Sequence, residues 1–247
     1  MIVKAQRLSN LKTYREIEPE EIPAYKISEV AYYLGIARST LRSWLYGQNY
    51  RTDDGELHRF KPLIKTQDND VALLSFMNLV EAHVLTALRR QHYVPMPVIR
   101  RALEYILLQS PESRHPLAEH QFATIGKSLF IERVNSLTDI TRAPQAAMME
   151  FLEKYLQRIE RTPSGSATIL YPFPRLYRGN WTPPKTVAIN PRIAFGRPVL
   201  AGTNIPTAVI AERIITGETP DEVAEDYNKT PAQILDAIRW ELYPAAA

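Results

Sequence analysis

Residues 28 to 45 read SEVAYYLGIARSTLRSWL: two amphipathic runs hinged at a glycine. In the first run Val30, Ala31 and Leu34 fall on one face of a helix, with Ser28 expected to cap it and Glu29 suited to the positive helix start. Gly35 permits the left-handed backbone that ends a helix. The second run turns Leu41, Trp44 and Leu45 inward, which leaves Arg38, Ser39, Thr40, Arg42, Ser43 and Tyr46 facing out. A helix, a tight turn and a second helix with a cationic outer face is the arrangement that lays a helix in a DNA major groove. Arg supplies phosphate neutralisation and bidentate hydrogen bonds to guanine, and Ser39 and Thr40 are short donors suited to phosphate.

The following segment, RTDDGELHRFKPLIK, has a turn signal at Asp54-Gly55 and short extended pieces over 57–64. It reads as a small β-wing carrying Arg51, Arg59, Lys61 and Lys65. Arg59 and Lys61, two apart, share a face and can grip the flanking backbone. Ser75 is placed to cap a helix with a Phe76, Leu79, Val80, Val84, Ala87, Leu88 stripe, and Pro97 opens another with Ile99, Leu103 and Ile106 on one side. Arg89-Arg90 and Arg100-Arg101 are candidates either for phosphate or for ion pairs with Glu81 or Glu104. These elements define a winged helix-turn-helix DNA-binding domain over 1–109.

Residues 110–164 are expected to connect. FATIGKSLFIE reads as a β-hairpin turning at Gly126-Lys127, 146–159 as an amphipathic helix, and RTPSGSA as a flexible joint. His115 and His120 read as exposed loop residues and His83, on the core helix, as a satisfied buried or flank histidine. The third unit, 165–247, opens with a strand and an aromatic, proline-rich connector, passes through a turn-rich segment and ends helical. The fold expected is mainly α with small β elements. In a ligand-responsive regulator Tyr171, Phe173, Tyr177 and Trp181 would line a pocket; otherwise they pack between domains.

The chain echoes itself. Glu29-Val30-Ala31 returns as Glu222-Val223-Ala224, an offset of 193 (222 − 29), which places Leu34 on Tyr227, Gly35 on Asn228, Leu41 on Ile234 and Leu45 on Ile238. The outward residues differ: Arg38, Arg42 and Ser43 fall on Pro231, Leu235 and Asp236. A carboxylate on that face repels phosphate, so the second copy is expected to bind protein or dimerise.

Composition excludes several classes. There are no cysteines, hence no disulfide, thiolate nucleophile or cysteine-held zinc. The start has no apolar run of signal-peptide length, and nothing is long enough to span a bilayer, so a cytoplasmic location is expected. The glycines of FGRPVLAGT lack phosphate-loop spacing, and no set of nucleophile, base and metal ligands is present. No enzyme activity, metal or cofactor is expected. Net charge is only +3, so the placement of charge, not its total, carries the DNA reading.

NPRIAFGRPVLAGTNIPTAVIAERIITGETPDEVAEDY resembles the domain-of-unknown-function family 433 through Pro191, Gly196, Pro198, Gly202, Thr203, Pro206, Gly217 and Tyr227. Residues 25–109 look like a MerR-type winged helix-turn-helix. In this order the two resemble long VapB-type antitoxins. That resemblance implies an antitoxin that neutralises a PIN-like ribonuclease toxin and represses its own operon by binding double-stranded operator DNA, as a homodimer. PIN-type ribonucleases hold Mg²⁺ with clustered acids, so a cation of the motif, Arg192 or Arg197, is the implied toxin plug. Many such antitoxins end in a long disordered tail. This chain stops soon after Trp240, which shifts the expected toxin contact to the folded C-terminal unit or the middle segment.

Overall fold

The computed structural model describes residues 17–51, 54–66, 73–90, 96–109, 111–120, 122–123, 128, 131, 145–174 and 183–242. A short 3₁₀ turn (Pro19–Glu21) leads into β1 (Tyr25–Lys26), α1 (Ile27–Leu34) and α2 (Arg38–Tyr46). Ser28 does not cap α1. The chain turns from strand to helix at Lys26, which keeps an extended backbone, and Glu29 Oε2 reaches back to accept its N–H at 2.7 Å. Gly35 ends α1 in the left-handed region at φ 61°, which lets Ile36 N–H bond Ala31 O at 3.0 Å. Val30, Ala31, Leu34, Leu41, Trp44 and Leu45 are all buried, as their spacing requires.

The wing is a hairpin of β2 (Gln48–Arg51) and β3 (Leu57–Phe60), in register Gln48↔Phe60. Its first strand follows α2 directly, a partner the sequence reading did not supply. The chain leaving β3 is tied back to α2, since Leu63 and Ile64 both donate their N–H to Trp44 O. β4 (Leu73–Leu74) then pairs antiparallel with β1. The central helix α3 (Phe76–Arg90) opens on a reciprocal cap in which the Ser75 and Asn78 side chains each accept the other's N–H at 3.2 Å. It is buried around nearly its whole circumference, including Glu81, His83 and Thr86, and is the post on which the N-terminal half is built. α4 (Met96–Gln109) adds Val98, Ala102 and Leu103; the side chains of Ile99 and Ile106 lie outside the described residues.

The middle of the chain departs from expectation. Phe122, Ala123, Ser128 and Ile131 are helical, not paired strands, and the proposed turn at Gly126-Lys127 lies outside the described residues. Phe122 and Ile131 are buried in the same core as α3, and helical backbone satisfies its own hydrogen bonds there without a partner strand. α5 (Gln145–Leu156) ends before Ile159, which instead starts β5 (Ile159–Arg161). RTPSGSA is the closed turn between β5 and β6 (Ala167–Leu170), held by Thr162 N–H to Ser166 O at 2.9 Å and Gly165 N–H to Thr162 O at 2.9 Å.

β5, β6, β7 (Val187–Ile189) and β8 (Pro198–Leu200) form one antiparallel sheet in sequence order. α6 (Thr207–Ile215), α7 (Pro220–Asp226) and α8 (Pro231–Leu242) follow. The architecture is mainly helical with small sheets. One apolar core runs from Tyr25 to Ile189 and takes in Leu152, Tyr155 and Leu170; a second is confined to Leu200, Ile210, Val223, Ala224, Ile234, Ala237 and Ile238. The expected divisions after 109 and 164 therefore do not coincide with the cores: the first cuts off α5, which packs on α3, and the second cuts the β5–β6 turn.

Candidate nucleic-acid interface

Arg38, Ser39, Arg42 and Tyr46 project from α2 into solvent, while Thr40 and Ser43 are half-buried. The Arg42 guanidinium lies 5.3 Å from the centre of the Tyr46 ring. Ser43 Oγ donates to Thr40 O of its own helix at 2.7 Å, and Thr40 Oγ1 accepts from Arg89 on α3. Thr40 and Ser43 are thus partly used in shaping the face, whereas Arg38, Ser39, Arg42 and Tyr46 form it. α2 makes one wall of a cleft of about 610 Å³; the wing contributes Gln48 and Phe60, and Arg89 and Arg100 complete it. Among the described residues, three arginines and no carboxylate line this cleft.

The wing's placement depends on a residue the sequence reading left ambiguous. Arg100 is buried, donates from Nη1 to Lys61 O at 2.9 Å and from Nη2 to Ser43 O at 3.5 Å, and lies over the Phe60 ring at 4.8 Å. Phe60 in turn stacks on Tyr50 at 4.1 Å. Burial lowers the Arg100 pKa, against a smaller opposing pull from Glu104. Arg100 clamps wing to helix and is not paired with Glu81. Arg59 and Lys61 are exposed on the wing side, and Arg59 Nη2 also donates to Tyr46 O at 3.1 Å, at the end of α2.

Glu81 has a different partner. His115, expected as an exposed loop residue, is buried and sits between Glu81 Oε2 at 2.9 Å and Glu21 Oε2 at 3.0 Å. Burial alone would lower the His115 pKa; the hydrogen bonds and charges of Glu21 and Glu81 outweigh it and push it up to about 9. Burial raises the Glu81 pKa, opposed by His115 and Asn78. This cluster fastens the loop after α4 to α3. His83 is buried as expected, its Nε2 3.2 Å from Tyr155 O. Of the aromatic segment, Phe173 packs on His83, Tyr155 and Arg158, filling space instead of opening a pocket; Tyr177 and Trp181 lie outside the described residues.

The two candidate toxin-facing cations stand in different environments. Arg192 forks onto Glu20, with Nε to Oε1 at 2.9 Å and Nη2 to Oε2 at 3.0 Å, and also reaches Glu18 at 3.0 Å. These hydrogen bonds and charges, Glu20 first, raise its pKa. It staples the C-terminal unit to the start of the fold and would have to leave two carboxylates to enter a partner. Arg197 is exposed and makes no ion pair with a described residue.

A second helix-turn-helix is present in α7–α8. Its outer face is not free as that of α2 is: Asp236 accepts from Thr186 Oγ1, just before β7, at 3.1 Å, and from Arg239 Nη1 at 3.1 Å. The two units meet where Tyr32 Oη of α1 donates to Trp240 O at 3.0 Å and Glu241 O at 2.9 Å, with the Tyr33 and Trp240 rings 6.1 Å apart.

A cationic helix face beside a clamped wing places the molecule among helix-turn-helix DNA-binding proteins, and residues 23–103 match the family described as "Putative DNA-binding HTH domain". Residues 187–240 match the family described as "Protein of unknown function (DUF433)". The chain is 30% identical over 234 residues to "Putative antitoxin VapB45" of Mycobacterium tuberculosis (strain ATCC 25618 / H37Rv), spanning 88% of this chain and 93% of that one. It belongs to this family of VapB antitoxins. It is also similar to the crystal structure of RV2018 from Mycobacterium tuberculosis, with a TM-score of 0.61 and 25% identity over 88% of this chain and 98% of that chain. No helix among the described residues is long and apolar enough to cross a membrane.

Proposed function

We propose that this protein is the antitoxin of a type II toxin–antitoxin pair, which represses its own operon and neutralises a PIN-like ribonuclease without catalysing a reaction itself. The observation that carries the DNA half is the acid-free cleft between α2 and the wing. A duplex seated there meets Arg38 and Arg42 from the helix and Arg59 and Lys61 from the wing, with Ser39 and Tyr46 at the contact and Thr40 and Ser43 setting its shape. Two copies related by a two-fold axis present two α2 helices to a palindromic operator.

The toxin half rests on kinship with the VapB family and on the C-terminal unit, whose outer helix face is not cationic. Arg197 is its exposed cation for an acidic, Mg²⁺-holding cleft, with Arg192 held in reserve by Glu18 and Glu20. Anisotropy with DNA from upstream of the protein's own gene tests the first half. Arg42→Ala is expected to weaken binding by about 1–3 kcal/mol if Arg42 reads a base, and Lys61→Ala to reduce the salt slope by about 1. Affinities untouched by Arg42→Ala at every salt concentration would remove α2 from the interface. Co-purification with the neighbouring gene product tests the second half.

A further inference from the structure

We infer that Phe195 is the aromatic anchor by which the C-terminal unit holds its protein partner, with Arg197 beside it. This deepens the antitoxin reading and rests on it. Phe195 is 93% exposed, more than any other large apolar residue among the described residues of the C-terminal unit. Its backbone is also costly: Ala194 at φ 48° and Phe195 at φ 56° both occupy the left-handed region, and Gly196 follows at φ 75°. Two consecutive non-glycine residues in that region persist only where the surroundings impose it.

The surroundings do so from both sides. The Gly196 N–H bonds Ile193 O at 2.9 Å and the Arg197 N–H bonds Ala194 O at 3.1 Å. Gly196 is seated so closely on Tyr25 that a Cβ would lie 2.2 Å from its hydroxyl. Arg192, at the other end of the turn, is clamped by Glu18 and Glu20. The turn is therefore held rigidly against the N-terminal half, and its aromatic side chain is exposed to solvent. Phe195 contributes nothing to either core, yet its backbone is already fixed, so burying it against a partner costs only the freedom of its side chain. Two residues on, Arg197 is exposed without an ion pair to a described residue. An apolar knob next to an unpaired cation fits a protein surface with an apolar notch beside clustered carboxylates. That is the chemistry of a metal-holding acidic cleft.

The test uses the full chain, the protein encoded next to it, and the upstream DNA. Phe195→Ala is expected to weaken capture of the neighbouring protein by about 30-fold or more, the scale of an aromatic hot spot, with Phe195→Trp retaining most of it. Arg197→Ala is expected to weaken capture by about 10-fold, an effect that shrinks as salt rises. Both variants keep wild-type operator affinity, which shows that they are folded. Capture by Phe195→Ala equal to wild type overturns the anchor and leaves the antitoxin reading standing. Failure of the wild-type chain to bind the neighbouring protein overturns both. If Phe195→Ala instead changes only the oligomeric state in light scattering, the turn faces a second copy of the chain and the inference is wrong.

Discussion

In α1–α2 the N–H of Lys26 donates to Glu29 Oε2 at 2.7 Å; in α7–α8 the N–H of Thr219 donates to Glu222 Oε2 at 2.8 Å. The first helix of one pair ends in left-handed Gly35 and that of the other in left-handed Asn228, and Ile36 N–H to Ala31 O is matched by Lys229 N–H to Ala224 O. Val30, Ala31, Leu41 and Leu45 are buried in the first pair, and Val223, Ala224, Ile234 and Ile238 in the second. Every one of these features repeats at the same spacing along the chain. The faces turned outward share nothing: α2 offers arginines to an open cleft, while α8 turns Asp236 onto Thr186 and leaves Leu235 exposed. Caps and apolar positions set the shape of such a unit; the positions between them decide what it meets.

The largest effects are expected in the two cores. Leu41→Ala and Ile234→Ala each remove a fully buried side chain and are expected to cost about 4 kcal/mol. Because the two belong to separate cores, hydrogen exchange should show lost protection in α1–α3 for Leu41→Ala and in α6–α8 for Ile234→Ala. If Ile234→Ala deprotects α1–α2 equally, the two units are one cooperative body.

The buried His115 cluster supports only the first unit. Replacing His115 with Leu leaves Glu81 buried without its cation, at a cost on the order of 3 kcal/mol. A folded pKa of about 9 lies above the ordinary histidine value, so the contribution is complete below that value and lost as pH rises through about 9. Burial of Glu81, which raises its pKa, acts in the same sense. The thermal midpoint should fall between pH 6.5 and 9, more weakly in His115→Leu; a midpoint that rises over this range contradicts the assignment.

Exchanging outward residues sharpens the comparison. Arg42→Leu with Ser43→Asp gives α2 the chemistry of α8 and should weaken operator binding by roughly 100-fold, whereas Leu235→Arg should leave it within about twofold. Equal effects would mean that both units touch DNA. The caps are the mildest test. Glu29→Ala should cost about 1 kcal/mol, and Glu222→Ala somewhat more, because both remove the bond to the cap N–H but Glu222 Oε2 also accepts from Thr219 Oγ1 at 2.7 Å. A larger drop in denaturant midpoint for Glu29→Ala than for Glu222→Ala would show that the equivalence is one of shape alone.

The helix-turn-helix pairs were legible in the sequence because their determinants are local: a 3.6-residue apolar spacing, Gly35 and Asn228, and a glutamate three residues inside each helix. The outward face of α2 followed from the same periodicity. What escaped reading depends on distant partners. His115 is buried because Glu21 and Glu81, 94 and 34 residues away, converge on it. Arg100 bonds backbone carbonyls, acceptors that every residue carries and no side-chain pattern marks. Of the hairpin expected over 122–132, the described residues Phe122, Ala123, Ser128 and Ile131 are helical, because short apolar runs suit a helix as well as a strand until the neighbouring core is known. Ser28 lost its capping role to a strand–helix corner at Lys26, which exists only through pairing with β4.

Arg158 shows where this molecule is brittle. It is buried with its guanidinium shared among the carbonyls of Tyr171, Pro172, Pro183 and Pro184, and burial lowers its pKa to about 10. Pro172, Pro183 and Pro184 lack the N–H that a strand ladder needs, and their carbonyls, with that of Tyr171, are gathered onto one side chain. A load gathered onto a single codon has no redundancy. Lysine would keep the charge with too few donors, and drift elsewhere in the segment gives no backup. Heat-sensitive alleles of this gene should therefore cluster at position 158 before they appear on the outer face of α2 or on the wing.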